Sequence, residues 1–255
     1  MLNAALDLHA WLYRFGAVFA RTGAFVMVAP VFGSRLVPLR YRLVVAAAVS
    51  VFLLTALPEP EAVMLAPLQV FREVALGAAL GFVLQTVFDA LVIAGQLVSL
   101  GMGLGFANLV DHRHGASVPV VGQLYLLLAT LAFLAMDGHV AMVSLLADSF
   151  RAMPAGAARM DAASAGAVVE WGGRMLSGAL QVALPAVIAM TVVNVAFGVV
   201  SRAAPQLNLF GVGFPLAIVL GFVALWLSLR SLAPVFGSLV EEAFAMAQSL
   251  LGGAR

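Results

Sequence analysis

The sequence has no cysteine and very little charge. Without cysteine there are no disulfides and no thiolate metal ligands. Charged residues make up 10% of the 255, with 13 basic and 12 acidic side chains. An ordinary soluble domain carries about 25%. So few charges cannot cover the surface of a water-soluble fold of this length. The net charge of +1 leaves no basic face for nucleic acid. The nucleophile elbow GxSxG and the zinc helix HExxH are both missing, so an enzyme is not expected. Nor does a basic stretch precede the first apolar run. Asp7, His9 and Arg14 interrupt it, which argues against a cleaved signal peptide.

What the chain has in abundance is apolar sequence, 64% of all residues. The runs follow one another with short polar breaks. The first covers residues 11–33 and contains Arg14 and Arg21. Residues 43–58 are an uncharged run of 16. A long stretch over 70–110 carries only Arg72, Glu73 and Asp89 as charges. Residues 118–136, 175–201 and 210–229 are further uncharged runs, and the tail 232–251, with Glu241 and Glu242, has the look of an amphipathic helix.

A hydrocarbon layer of about 30 Å takes about 20 residues of helix to cross. Inside it, backbone groups are satisfied only in helices or closed barrels, and the alternation of a membrane barrel is missing. The pattern therefore predicts an all-α polytopic integral membrane protein of five to seven hydrophobic helices, one membrane-helical unit over 1–255. The run at 43–58 is short for a span and the run at 70–110 is long, so some helices pack on protein instead of crossing lipid. The break holding Arg35, Arg40 and Arg42 is expected on the cytoplasmic side. Glu59 and Glu61 then lie outside, as does the N-terminus if the first segment spans.

Polar groups inside apolar helices are costly and mark sites of interest. Gln85, Asp89, Gln96 and Ser99 fall on one helical face. Such a stripe lines a pore or bonds to neighbouring helices, and both readings stand. Arg14 and Arg21 share a face seven residues apart, and either snorkel to headgroups or pair with an acid in another helix or subunit. Arg72 and Glu73 read as a pair at a helix start. Gly77 with Gly81, and Gly101 with Gly105, have the spacing that lets helix backbones approach.

Gly101-Met102-Gly103-Leu104-Gly105-Phe106 should loosen a helix end. It lacks both the spacing and the strand–helix setting of a nucleotide loop. A hinge for a movable segment and a frayed helix end are the two readings. Asp111-His112-Arg113-His114 follows. Arg113 between the histidines repels cations and no third ligand is evident, so no metal is expected. Asp137-Gly138 before His139 reads as a turn.

Three stretches carry a resemblance: REVALGAALGF at 72–82, GLGFANLVD at 103–111 and GVVSRAAPQLNLFGVGFPL at 198–216. Together with GAFVMVAPVFGSRLVPLRYRL at 23–43, they resemble the flagellar biosynthetic protein FliR family, the R subunits of the export gate in bacterial type III secretion. Injectisomes have a homologous T component. Gly213-Phe214-Pro215 looks more flagellar than injectisome-like. The resemblance implies assembly with P-type and Q-type subunits and other export-apparatus membrane proteins into a gate that unfolded substrates pass. It places the chain in the bacterial inner membrane, amid lipid, at the flagellar basal body. No cofactor is implied, and the driving energy comes from elsewhere.

The resemblance also assigns residues. Residues 106–118 correspond to a plug loop that helps close the channel, taking in Phe106, Asn108, Asp111, His112, Arg113 and His114. Gly101, Met102, Gly103 and Gly105 precede it, and on our reading the glycines give the plug hinge freedom while Met102 helps to seal the closed gate. Arg72, Glu73, Arg202, Pro205, Gln206, Asn208, Phe210, Gly213, Phe214 and Pro215 are family-motif positions for subunit packing. The break at 205–214 reads either as a structural break between two long helices that sets a hairpin packing on partner subunits or as a site of direct substrate contact. The competing readings are an injectisome gate subunit and a stand-alone secondary transporter or channel, for which no internal repeat is visible.

Overall fold

In a computed structural model, the described residues are 2–34, 37–57, 66–104, 120–203 and 213–252. Among them are seven helices and no strand. These are α1 (Leu2–Val28), α2 (Leu39–Ala56), α3 (Pro67–Gly101), α4 (Val120–Ala135), α5 (Gly138–Ala152), α6 (Ala162–Ala203) and α7 (Phe214–Gly252). The expected all-α polytopic class holds. Four helices, α2, α3, α6 and α7, are long and apolar enough to cross a membrane, and α4 with α5, bent by 69°, makes up to five.

The boundaries refine the sequence reading. α2 gains length at its start, where Pro38 precedes the helix and Arg40 and Arg42 are included in it. Most of the uncharged run of residues 43–58 thus falls in an 18-residue helix that is a candidate span. α1 is not among the span candidates. Arg14 and Arg21 lower its hydropathy. α3 has 35 residues, about 52 Å at 1.5 Å per residue, well beyond a hydrocarbon layer of about 30 Å. The tail 232–251 is not a separate helix. It continues α7 through Pro234. Its amphipathic character is nevertheless there: Leu232, Phe236, Leu239, Val240, Ala243, Ala247 and Leu250 are buried at helical spacing.

The chain groups into two compact units. One comprises Met1–Thr86, Phe133–Gly172 and Val240–Arg255, and the other Val87–Ala132 and Gly173–Leu239. In the first, α1 packs on α2 and on the start of α3. A Cβ on Gly77 would strike the backbone carbonyl of Arg21, and one on Gly81 would lie 2.9 Å from the carbonyl oxygen of Phe25. The Gly77/Gly81 pair thus does what its spacing suggested, letting α3 approach the α1 backbone. Trp171 of α6 donates its indole N–H to the Val83 carbonyl at 3.0 Å and the Thr86 hydroxyl at 2.7 Å. Asp137-Gly138 forms the expected turn, with Asp137 at φ 56°, a left-handed conformation that Asp tolerates.

In the second unit, Phe88 meets Phe236 edge-on, centroids 5.6 Å apart, and the Tyr125 hydroxyl bonds to the Ser228 hydroxyl inside the core. Gly95 of α3 lies against the backbone of Gly122 in α4.

Candidate functional site

α3 ends at a glycine-built stop. The N–H of Leu104 bonds to the Ser99 carbonyl at 3.1 Å and that of Gly103 to the Leu100 carbonyl at 3.0 Å. Gly103 has φ 77°. This double bond pattern with a left-handed residue satisfies helix-end carbonyls that have no partner of their own. The glycines therefore terminate the helix in a defined geometry at residues 101–104. Asn194 of α6 donates its side-chain amide to the Gly101 carbonyl at 3.2 Å. Met102 is 1% exposed and lies against Gly221 of α7, while Gly101 faces the Met190 side chain. Gly105, Phe106, Asn108, Asp111, His112, Arg113 and His114, with the rest of the 106–118 segment, lie outside the described residues.

The polar stripe of α3 is half-buried at Gln85, Asp89 and Gln96, and Ser99 is fully buried. Further along, α6 ends at Ala203 with Arg202 exposed in its last turn, where a cation suits the helix dipole. α7 begins at Phe214, with Gly213 buried just before it and Pro215 exposed. Pro205, Gln206, Asn208 and Phe210 lie outside the described residues.

Arg72 and Glu73 part company. Arg72 is exposed and Glu73 is buried, because neighbours on a helix point about 100° apart and do not face each other. Glu73 pairs instead with Arg21 of α1: Arg21 Nε donates to Glu73 Oε2 at 2.6 Å, both side chains fully buried. Of the two readings for Arg21, pairing with an acid in another helix is the one realised, within this same chain.

The pair gathers a wider set of groups. Arg21 Nη1 donates to the Ser149 carbonyl at 2.7 Å and the Ser149 hydroxyl at 3.2 Å, and Nη2 to the Met153 carbonyl at 2.8 Å. The Phe150 ring lies 4.1 Å below the guanidinium. Glu73 Oε1 accepts the N–H of Gly156 at 2.7 Å and that of Ala158 at 3.3 Å. Two charges in a dry interior are tolerable because nearly every donor and lone pair is used. Ser149, Gly156 and Ala158 carried no signal in the sequence: two of the three act through backbone N–H groups, which every residue type but proline has.

No group of three or more His, Asp or Glu side chains suited to a metal occurs among the described residues. What the arrangement offers is mechanical: long helices, a fixed helix end at Gly103, and close backbone contacts at glycine.

A model of the family described as bacterial export proteins, family 1, matches residues 12–243. The flagellar biosynthetic protein FliR of Pectobacterium carotovorum subsp. carotovorum is 33% identical over 248 residues, 96% of this chain and 95% of that protein. FliR of Escherichia coli strain K12 is 30% identical over 245 residues, covering 95% and 94%. FliR of Bacillus subtilis strain 168 is 30% identical over 230 residues, 88% of each. With the match running from α1 into the last third of α7, the chain belongs to the bacterial export proteins of family 1, the family of the flagellar biosynthetic protein FliR.

Proposed function

We propose that this chain is a subunit of the bacterial flagellar protein export gate. It assembles with P-type and Q-type subunits in the inner membrane at the flagellar basal body and helps form and close the channel for unfolded substrates. The observation that carries this reading is the family match over nearly the whole chain. The fold supports it: α3, α6 and α7 have 35, 42 and 39 residues, far longer than a single crossing of about 20 requires. Helices of that length present apolar surface that other subunits can cover. On this reading the role is architectural and mechanical, not catalytic.

Within the gate, residues 106–118 act as the plug. The fixed helix end at Gly103 gives the plug a defined root, and Met102 and Asn194 hold that root in place. The stripe Gln85, Asp89, Gln96 and Ser99 serves as polar contact to neighbouring helices or as lining of the path. Arg202, Pro205, Gln206, Asn208, Phe210, Gly213, Phe214 and Pro215 shape the turn between α6 and α7 for packing on partner subunits.

The test is mild-detergent affinity purification of the chain from its own cell, with mass spectrometry of what accompanies it. Recovery of P- and Q-type flagellar subunits in one stable particle is the expected result. Injectisome partners would move the chain to that system. A stable particle of this chain alone would favour a self-contained transporter and remove the support for the plug.

A further inference from the structure

The turn from α5 into α6, residues 153–161, has few interactions of its own. Its one internal backbone bond is Ala157 N–H to the Pro154 carbonyl at 2.9 Å, while Met153 N–H and the Asp161 carbonyl bond to the adjoining helices at 3.0 Å each, and its buried side chains are the small Ala155 and Ala158 with Met153. Pro154, Ala157, Arg159 and Asp161 are exposed. Such a segment would ordinarily sample many conformations. Here its backbone is taken up from outside. Arg21 holds the carbonyls of Ser149 and Met153 at the end of α5, where a helix welcomes a cation, and the Ser149 carbonyl also accepts the Met153 N–H at 3.0 Å. Glu73 holds the N–H groups of Gly156 and Ala158. Each charge both neutralises the other and captures two backbone groups, and both charges come from helices made earlier in the chain.

Further on, Trp171 fixes the start of α6 to the same stretch of α3, through Val83 and Thr86. α3 thus holds the segment 153–171 at both ends, by a carboxylate first and by a carbonyl and hydroxyl 10 to 13 residues later in its own sequence.

We propose that the Arg21–Glu73 pair is a conformational latch: a preassembled receptor for the backbone of residues 149–158 that dictates the direction in which α6 leaves α5. Once α1 and α3 meet, the two buried charges become a site that one backbone path satisfies, and other paths leave charge unpaired in a dry interior. Arg21 and Glu73 are positioning residues, and the latch stands independently of the export reading.

The test is amide hydrogen exchange by mass spectrometry on the full chain, purified in mild detergent with whatever accompanies it. In the native chain the peptide covering 154–160 should be protected despite its exposed side chains. Glu73→Gln, which keeps shape and removes the charge, should speed exchange there at least tenfold, with peptides from 76–86 and 171–180 changed less than twofold. Unchanged exchange at 154–160 would overturn the latch, and so would faster exchange in all three peptides, since the pair would then hold the whole unit and not this turn. If Glu73→Gln does not accumulate, the double variant Arg21→Met with Glu73→Met removes both charges together. Accumulation with fast exchange at 154–160 supports the latch. Slow exchange there, or failure of the double variant to accumulate, overturns it.

Discussion

Arg21 and Glu73 lie 52 residues apart in the sequence, and their side chains meet at 2.6 Å with no exposure to solvent. Removing one partner strands the other. Arg21→Ala and Glu73→Ala should each cost about 3–5 kcal/mol, while replacing both by apolar residues of similar volume should cost far less than the sum. Denaturation of the detergent-purified chain measures this. Strictly additive losses would mean that the two charges do not interact.

Gly77 is where α3 comes closest to α1, since a Cβ there would strike the Arg21 carbonyl. Backbone cannot yield as a flexible side chain can. Gly77→Ala should therefore destabilise by about 1–3 kcal/mol, in the range of overpacked cores. Gly172→Ala, at a glycine with nothing within 4 Å of an added Cβ, is the control and should be neutral or slightly stabilising. Thermal unfolding of the two variants side by side decides the matter.

At Gly103 the constraint is the backbone angle, φ 77°. Gly103→Ala should cost about 1–2 kcal/mol, and Gly103→Asn less, because Asn visits this region more readily. The gap between the two variants, measured as unfolding midpoints, separates a backbone effect from loss of space.

Asp161 caps α6. Its carboxylate accepts the Ser164 N–H at 2.7 Å, and hydrogen bonds from the Ser164 hydroxyl and then its N–H hold the carboxyl below its ordinary pKa. A depressed acid contributes stability above the unfolded value and loses it as pH falls through the folded one. Asp161→Ala should therefore lower the unfolding midpoint at pH 7. The difference from the native chain should shrink below the ordinary aspartate range near pH 4. A difference constant down to pH 3 would show that the cap does not depend on the charge.

On the export reading, deleting residues 110–116 should raise ion leak across the membrane of cells making the gate. Conductance equal to that of the native strain would remove the plug from the mechanism.

The sequence by itself determined the class of molecule. Solvent chemistry does this locally: long uncharged runs must be helices in lipid or under other helices, whatever their partners are. Glycine spacing at 77 and 81 likewise announced a close helix contact, since a missing side chain has that meaning in any apolar helix. The resemblance at 72–82, 103–111 and 198–216 pointed to the family later found over residues 12–243. Helix ends were less legible. The glycines at 101–105 did mark a helix end in the run at 70–110, but the tail 232–251 gave no sign of being joined to α7, because apolar composition does not register whether a helix runs on.

Only the tertiary structure decided who pairs with whom. Glu73 stands beside Arg72 in sequence, yet helix geometry turns them apart and brings Arg21 from another element into reach. The groups that complete the cluster, the N–H of Gly156 and Ala158 and the carbonyls of Ser149 and Met153, are common to nearly every residue. Their selection rests on position in space, which a one-dimensional pattern of side chains does not encode.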